Sequence, residues 1–91
     1  MNQTGWDRFI KLCLASKNAS MLSALFELFL THEEKENLAL RYLIIEELFK
    51  QEKTQRDIAQ DLQVSIAKIT RGSNELKRMS PQLITFLKEN I

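Results

Sequence analysis

The segment from Thr54 to Lys77 constrains the fold of this chain most. Apolar residues recur in it at helical spacing on both sides of a short break, which predicts two short helices joined by a tight turn. Thr54 and Ser65 stand where N-cap residues stand, and their hydroxyls can accept a backbone N–H at the start of each helix. The segment matches the helix-turn-helix pattern, in which the second helix lies in the major groove of DNA.

The apolar residues of this segment predict a close crossing of its two helices. Ile58, Ala59 and Leu62 share one face, and Ala59 is small enough for the second helix to pass nearby. The residues expected to be buried in the turn and in the second helix are Val64, Ile66, Ile69 and Leu76. Gln63 departs from the pattern, because many such turns carry Gly for a left-handed backbone, so it predicts either strain or a slightly different turn. The alternative is an ordinary helical hairpin in a bundle.

The rest of the chain also has a helical pattern. Its 91 residues predict one domain, 1–91, and a composition that is 44% apolar with two Gly and one Pro favours an all-α fold. Six helices are expected, beginning near Gly5, Met21, Thr31, Thr54, Ser65 and Ser80. The start lacks the apolar region of a signal peptide and no run reaches transmembrane length, so we expect a cytoplasmic protein without a membrane partner.

No set of residues in the sequence has the spacing of a catalytic or metal site. Cys13 is alone in an apolar stripe and is expected to be a buried free thiol, which fits a reducing compartment. His32 is alone in the first turn of a predicted helix, where it should face solvent. Without a nucleophile–base pair or a ligand cluster, we expect neither an enzyme nor a catalytic cofactor.

The second predicted helix, Met21 to Leu30, is apolar on almost every face and must therefore be surrounded. The first, third and last helices also carry wide apolar stripes, whereas a domain near this size buries only about 60–65% of its unfolded surface. We therefore expect an obligate, intertwined homodimer with a dimerisation core at about 5–51 and 80–91 and the helix-turn-helix at about 54–77. The alternative is a monomer with an apolar patch.

Charge is distributed unevenly along the chain. The formal net charge is +1, but residues 1–49 hold five cationic against seven acidic side chains, net −2, whereas residues 50–79 hold seven against four, net +3. The positive charge therefore coincides with the predicted helix-turn-helix, where the phosphates of double-stranded DNA would lie.

Four segments, in order, resemble the tryptophan repressor family. They are LFLTHEE from Leu28, RYLIIEELF from Arg41, TQRDIA from Thr54 and ITRGSN from Ile69. The resemblance extends from Trp6 to about Glu89. It implies a dimeric transcriptional repressor of tryptophan-related genes, which binds operator DNA only when the corepressor L-tryptophan occupies a pocket under the recognition helix.

The residues fit a pocket for an aromatic amino acid. Arg71 can stack its guanidinium on an indole or bind a carboxylate, Gly72 lets a ring approach the backbone, and Thr31 offers a hydroxyl. The resemblance adds Arg41 on the opposite ring face. It also implies that backbone carbonyls at the end of the second helix, from the other subunit, accept from the ammonium group. The expected corepressor-binding residues are Leu28, Leu30, Thr31, Arg41, Arg71, Gly72 and Glu75.

Glu75 departs from the best-known family pattern, which carries a small residue there. Its carboxylate could accept from the ligand ammonium, pair with Arg71 one helical turn away, or repel the ligand carboxylate. A related indole or amino acid, or a weaker affinity for tryptophan, is therefore an alternative to a tight L-tryptophan site.

The resemblance also implies which residues meet DNA. They are Gln55, Arg56, Ser65, Ile66, Ala67, Lys68 and Thr70. Lys68 is charged where the family often has a short polar residue, so operator preference or salt dependence should differ. Two alternatives remain open: a helix-turn-helix regulator that needs no small ligand, and a helical protein–protein adaptor of the transcription machinery.

Overall fold

The computed structural model of this chain describes residues 2–91, and within them it contains six α-helices and no strand. The helices are α1 (Gln3–Ala15), α2 (Ala19–Phe29), α3 (His32–Lys50), α4 (Gln55–Leu62), α5 (Ile66–Lys77) and α6 (Pro81–Asn90). The all-α fold and the number of helices are as predicted. None of these helices has both the length and the apolar character needed to cross a membrane.

Short polar side chains determine where the helices begin. Thr31 and Glu34 form the capping box of α3: the Glu34 N–H donates to Thr31 Oγ1 at 3.1 Å, and the Thr31 N–H donates to Glu34 Oε1 at 2.8 Å. The bond from the Thr31 backbone is the main reason that the pKa of the Glu34 carboxyl is lowered. Thr54 caps α4 as predicted, since its hydroxyl accepts from the Asp57 N–H at 3.1 Å.

The first two helices begin earlier than predicted. The Asn2 side chain accepts from the Gly5 N–H at 2.9 Å, so α1 already starts at Gln3. The Asn18 side chain accepts from the Met21 N–H at 2.8 Å, so α2 starts inside the stretch that was expected to be a break. Asparagine is as strong an N-cap as serine or threonine, and both shifts follow from that preference.

The chain divides into two compact units, the first ending at Asn37 and the second covering Leu38–Ile91, with the boundary inside α3. In the first unit the Phe9 ring lies 6.2 Å from the Phe26 ring and 5.3 Å from the Phe29 ring, centroid to centroid. No residue between 2 and 37 is buried, although α2 is apolar on almost every face. The first unit therefore has aromatic contacts but no closed core.

The core of the second unit lies where α3, α4 and α5 meet. Ile58 and Ile69 are the most enclosed side chains there, with 1% and 0% of their surface exposed. The other residues of this core are Ile44 and Ala59, with Leu40, Leu48, Leu62 and Val64 packed around them. Ala59 is thus buried at the helix crossing, as predicted.

Two residues of α5 are less buried than predicted. Ile66 is 49% exposed, and Leu76 is only half-buried. Three residues turn a helix through about 300°, so Ile66 lies at the edge of the face that Ile69 buries rather than at its centre. The prediction that Ile66 is buried is wrong, and its apolar side chain lies on the surface of α5.

The turn between α4 and α5 has the backbone that glycine favours. Gln63 has φ 57° and ψ 46°, in the left-handed region. The Val64 N–H donates to the Ala59 carbonyl at 3.0 Å, which closes the helix end as in a Schellman motif. The turn is therefore the ordinary one, with a strained residue at Gln63 rather than a different turn.

We expect Gln63→Gly to increase the free energy of unfolding by about 0.5–1 kcal/mol. A left-handed conformation costs an L-residue roughly 1–2 kcal/mol, and the greater freedom of unfolded glycine offsets part of the gain. Gln60→Gly, inside α4, is the matched control and should lower stability by about 1 kcal/mol. Urea denaturation at one fixed protein concentration measures both; equal losses of stability would contradict the strain at Gln63.

Candidate functional site

The residues expected to contact DNA lie on the second unit, at the start of α4 and in the first half of α5. Gln55 is half-buried, and the other six are exposed: Arg56, Ser65, Ile66, Ala67, Lys68 and Thr70. The buried Ile58 and Ile69 belong to the same two helices and pack in one core. The exposed residues are therefore held on a firmly packed base, which we call the α4–α5 surface.

The cations of the second unit fall into two groups. Lys53 bridges the end of α3 to α4, because its Nζ lies 2.7 Å from Asp61 Oδ2 and 3.6 Å from Glu47 Oε2. The hydrogen bond to Asp61 is the largest cause of the raised pKa of Lys53. Lys50 likewise lies beside Glu46 and Glu47, at 3.9 and 3.3 Å. These two lysines are paired with carboxylates and contribute little free positive charge.

Other cations on α4 and α5 have no such neighbours. No ion pair within residues 2–91 includes Arg56, Lys68, Arg71 or Lys77. All four side chains are exposed. The positive charge that the sequence places on 50–79 is therefore available to an anionic partner on the two helices of the predicted motif.

Two hydroxyls on the α4–α5 surface behave differently from each other. Ser65 is the N-cap residue of α5, with φ −67° and ψ 146°, but its side chain makes no capping hydrogen bond. The cap predicted for Ser65 is therefore absent in the structure, and its hydroxyl stays exposed. Thr70, by contrast, donates its hydroxyl to Gln55 Oε1 at 2.8 Å, a bond that joins α5 to the first residue of α4.

Three of the expected corepressor residues lie in the first unit, around the end of α2. Leu28 is in the last turn, and Leu30 is the C-cap residue with an extended backbone at φ −107° and ψ 142°. Within residues 2–91, no backbone N–H that follows α2 donates to the carbonyl oxygen of Leu28 or Leu30. The Thr31 hydroxyl accepts from Glu34 and retains its own hydrogen for another partner. This helix end thus offers unpaired acceptors.

The other four corepressor residues lie in the second unit. Arg41 on α3 and Arg71 on α5 are exposed, and Gly72 follows Arg71. A Cβ atom on Gly72 would lie 3.2 Å from Ile44 Cγ2 and 3.6 Å from Leu48 Cδ1. Glycine at this position therefore permits the close approach of α5 to α3, a packing role that the sequence did not reveal.

The Glu75 carboxylate pairs with Arg78 rather than with Arg71. Its Oε1 lies 3.3 Å from Arg78 Nη1, at the i, i+3 spacing of the same helix. Of the interactions considered for Glu75, pairing with Arg71 is not the arrangement in the structure. The Arg71 guanidinium is consequently not held by this carboxylate.

A cleft near the carboxyl ends of α3 and α6 was not anticipated. Its volume is about 300 Å³, and it is lined by Glu46, Phe49, Lys50, Lys88 and Ile91. The sequence contains no motif at these positions. Residues 2–91 include no group of three or more His, Cys, Asp or Glu side chains that could hold a metal ion.

Comparisons with known proteins agree over nearly the whole chain. A family model described as Trp repressor protein matches residues 4–91. The chain is 47% identical over 87 residues to a Trp operon repressor homolog of Chlamydia caviae, covering 96% of this chain and 86% of the relative. It is 46% identical over 89 residues to the homolog of Chlamydia trachomatis serovar D, covering 98% and 95%. A homolog from Mannheimia succiniciproducens is 37% identical over 89 residues, covering 98% and 88%.

Proposed function

Because this chain belongs to the Trp repressor family, a family of transcription regulators, we propose that it is a sequence-specific DNA-binding repressor of tryptophan-related genes, activated by an aromatic amino acid. L-tryptophan is the first candidate for that corepressor. Family membership also confirms the prediction that the chain is not an enzyme. We place its action in the cytoplasm, as a homodimer on double-stranded operator DNA.

The α4–α5 surface is the observation that carries DNA binding. A recognition helix must present its first half to base edges and leave cations for the flanking phosphates. The first half of α5 is exposed except for Ile69, and Lys68 has no ion pair within the described chain. Arg56 at the start of α4 is likewise exposed and has no ion pair within the described chain. The α4–α5 surface can therefore bind the phosphate backbone of DNA and contact base edges in the major groove at the same time.

The end of α2 and the middle of α5 support an amino acid as the ligand. The unpaired carbonyls of Leu28 and Leu30 lie at a helix carboxyl end, which attracts an ammonium group. The exposed Arg71 guanidinium, which Glu75 leaves unpaired, can stack on an aromatic ring or bind a carboxylate. As the family resemblance implies, we propose that the two subunits of the homodimer each contribute groups to the pocket.

Salt-dependent binding tests the DNA proposal. With corepressor in excess, Arg56→Ala and Lys68→Ala should each weaken operator binding and lower the slope of log affinity against log salt by roughly one unit, because each removes one phosphate contact. Lys11→Ala removes an exposed charge on α1 and is the control, with slope and affinity unchanged. If both variants of the α4–α5 surface bind operator as the parent does, α5 is not the recognition helix. Fluorescence anisotropy over a salt series measures all four proteins.

A further inference from the structure

Three charged side chains cross the junction between α3 and α4. Lys53 Nζ lies 2.7 Å from Asp61 Oδ2, in the last turn of α4, and 3.6 Å from Glu47 Oε2, in the last turn of α3. Lys53 itself belongs to neither helix, because it lies in the connection 51–54. We call Glu47, Lys53 and Asp61 the Lys53 bridge. It joins the far end of α4 to α3.

The surroundings of Glu47 give the Lys53 bridge its weight. Glu47 Oε2 is buried and accepts no hydrogen bond among the described residues. The other oxygen, Oε1, lies 3.3 Å from Lys50 Nζ. A buried carboxylate oxygen without a hydrogen bond is costly unless a neighbouring positive charge compensates for it. Lys53 supplies that charge to Oε2, so the free energy of this carboxylate depends on where the start of α4 lies.

The backbone of the junction also needs contacts that hold it. Gln51 has φ 55°, a left-handed conformation that residues other than glycine adopt only at a cost. Such a conformation persists where the surrounding structure fixes it. The Lys53 bridge has contacts on both sides of Gln51, from Glu47 before it to Asp61 after it. The angle between α3 and α4 therefore depends on these side chains.

We propose that Lys53 is a positioning residue for operator binding: by joining Glu47 to Asp61, it holds the α4–α5 surface near its DNA-binding angle before the corepressor arrives. This inference rests on the proposed function. In the proposed pocket, an aromatic ring between Arg41 on α3 and Arg71 on α5 would fix the same angle from the side of α5. The bridge and the corepressor thus act on one equilibrium. The apparent DNA affinity is proportional to the fraction of protein that already has the binding angle.

The effect of the Lys53 bridge should therefore depend on the corepressor. Without corepressor, its loss should weaken operator binding about 3- to 5-fold, the upper range for a partly exposed ion pair. With saturating L-tryptophan the ligand fixes the angle, and the change should stay below about 1.5-fold. The factor by which L-tryptophan raises operator affinity should then increase about 3-fold. A side chain that only contacted DNA would change both affinities equally.

Asp61→Asn is the most informative variant, because the bridge and simple electrostatics predict opposite signs for it. Loss of a negative charge by itself strengthens binding to DNA, whereas loss of the bridge weakens binding by the unliganded protein. Glu52→Gln is the matched control: this residue of the same junction is exposed, has no ion pair within residues 2–91, and loses the same charge. Lys53→Met removes the ammonium group and keeps an unbranched stem, and Lys53→Arg keeps the charge.

The test uses the full chain and the operator that the parent selects from randomised duplex DNA in the presence of L-tryptophan. Fluorescence anisotropy measures operator affinity without corepressor and with saturating L-tryptophan. We expect Asp61→Asn and Lys53→Met to weaken the unliganded complex selectively, and Lys53→Arg to resemble the parent. Glu52→Gln should shift both affinities by the same factor and leave the effect of L-tryptophan unchanged.

Hydrogen exchange in the absence of DNA and ligand gives a second readout. The amides of α4 should exchange about 3- to 5-fold faster in Asp61→Asn than in Glu52→Gln, because the bridge no longer holds the helix. Equal exchange rates would overturn the proposal, and so would unliganded binding that Asp61→Asn strengthens as Glu52→Gln does. Equal losses for Lys53→Met with and without L-tryptophan would show instead that Lys53 acts only as a charge toward DNA. Each of these results leaves the proposed function intact, whereas a parent that selects no operator would remove the proposed function and this inference together.

Discussion

Saturation with L-tryptophan is expected to raise the operator affinity of this protein by about 5- to 150-fold, the range of a coupling free energy of about 1–3 kcal/mol. The ligand would hold the α4–α5 surface at the angle that two successive major grooves require. Unliganded protein would have to fix this angle on the DNA, whereas liganded protein would already have it fixed. By linkage, operator DNA must raise tryptophan affinity by the same factor. Calorimetric titration with L-tryptophan in the presence and absence of operator DNA, and with operator DNA in the presence and absence of L-tryptophan, measures both changes in affinity.

Arg41→Ala separates ligand binding from DNA contact. It should weaken tryptophan binding about 5- to 10-fold, the scale of a cation–π contact, and leave operator affinity at saturating ligand near that of the parent. Arg8→Ala, an exposed arginine of α1, is the matched control. Gly72→Phe is unsuitable as a pocket-filling variant, because a side chain there would meet Ile44 and displace α5 from α3.

Glu75→Ser distinguishes the two remaining roles of Glu75. Tighter tryptophan binding would mean that the carboxylate, now beside Arg78, obstructs the pocket. Weaker binding would mean that it accepts from the ligand ammonium. If operator affinity is the same with and without every aromatic amino acid, the coupling does not exist, and a regulator that needs no small ligand takes its place.

Phe86→Ala is expected to destabilise the protein by about 3 kcal/mol or more per protomer, although Phe86 is 58% exposed in the single chain. The reason is the proposed dimer, in which the apolar faces of α1, α2 and α6 would be covered by the partner. The other exposed apolar residues of these helices include Trp6, Leu14, Met21, Leu28 and Leu83. Unfolding midpoints should rise with protein concentration, because folding and association are then one transition.

Ile66→Ala is the control for Phe86→Ala. Ile66 is similarly exposed but lies on the α4–α5 surface, so its truncation should change stability by less than about 1 kcal/mol and act on DNA binding instead. Equilibrium denaturation at several concentrations and sedimentation at micromolar concentration measure stability and mass. A monomeric mass with a midpoint independent of concentration would refute the dimer.

Local signals in the sequence were sufficient to predict where several helices begin. Thr31 with Glu34, and Thr54 with the N–H of Asp57, form the caps that their spacing predicts, because a cap depends on only three or four neighbouring residues. The same rule applied to Asn2 would have placed the start of α1 correctly. The Asn2 signal for that start is present in the sequence.

The candidate site was only partly predictable. The clustering of cations at residues 50–79 follows from the sequence, but their division into paired and unpaired groups does not. Lys53 is held by Asp61, whereas Lys68 is free of ion pairs, and this difference depends on which helix passes beside each lysine. The sequence predicts an N-cap hydrogen bond for Ser65 as much as for Thr54, yet the Ser65 hydroxyl makes no capping bond.

By itself the sequence determined the all-α fold, the pairing of α4 with α5 across a tight turn, and the family, since each depends on periodicity or on short segments in fixed order. Tertiary structure alone decided four points: the strained turn at Gln63, the exposure of Ile66, the contact of Gly72 with α3, and the bond from Thr70 to Gln55. The last two depend on which distant segments are brought together, since Gly72 meets α3 and Thr70 meets the start of α4. Residue spacing within one helix carries no information about the neighbour that another helix supplies.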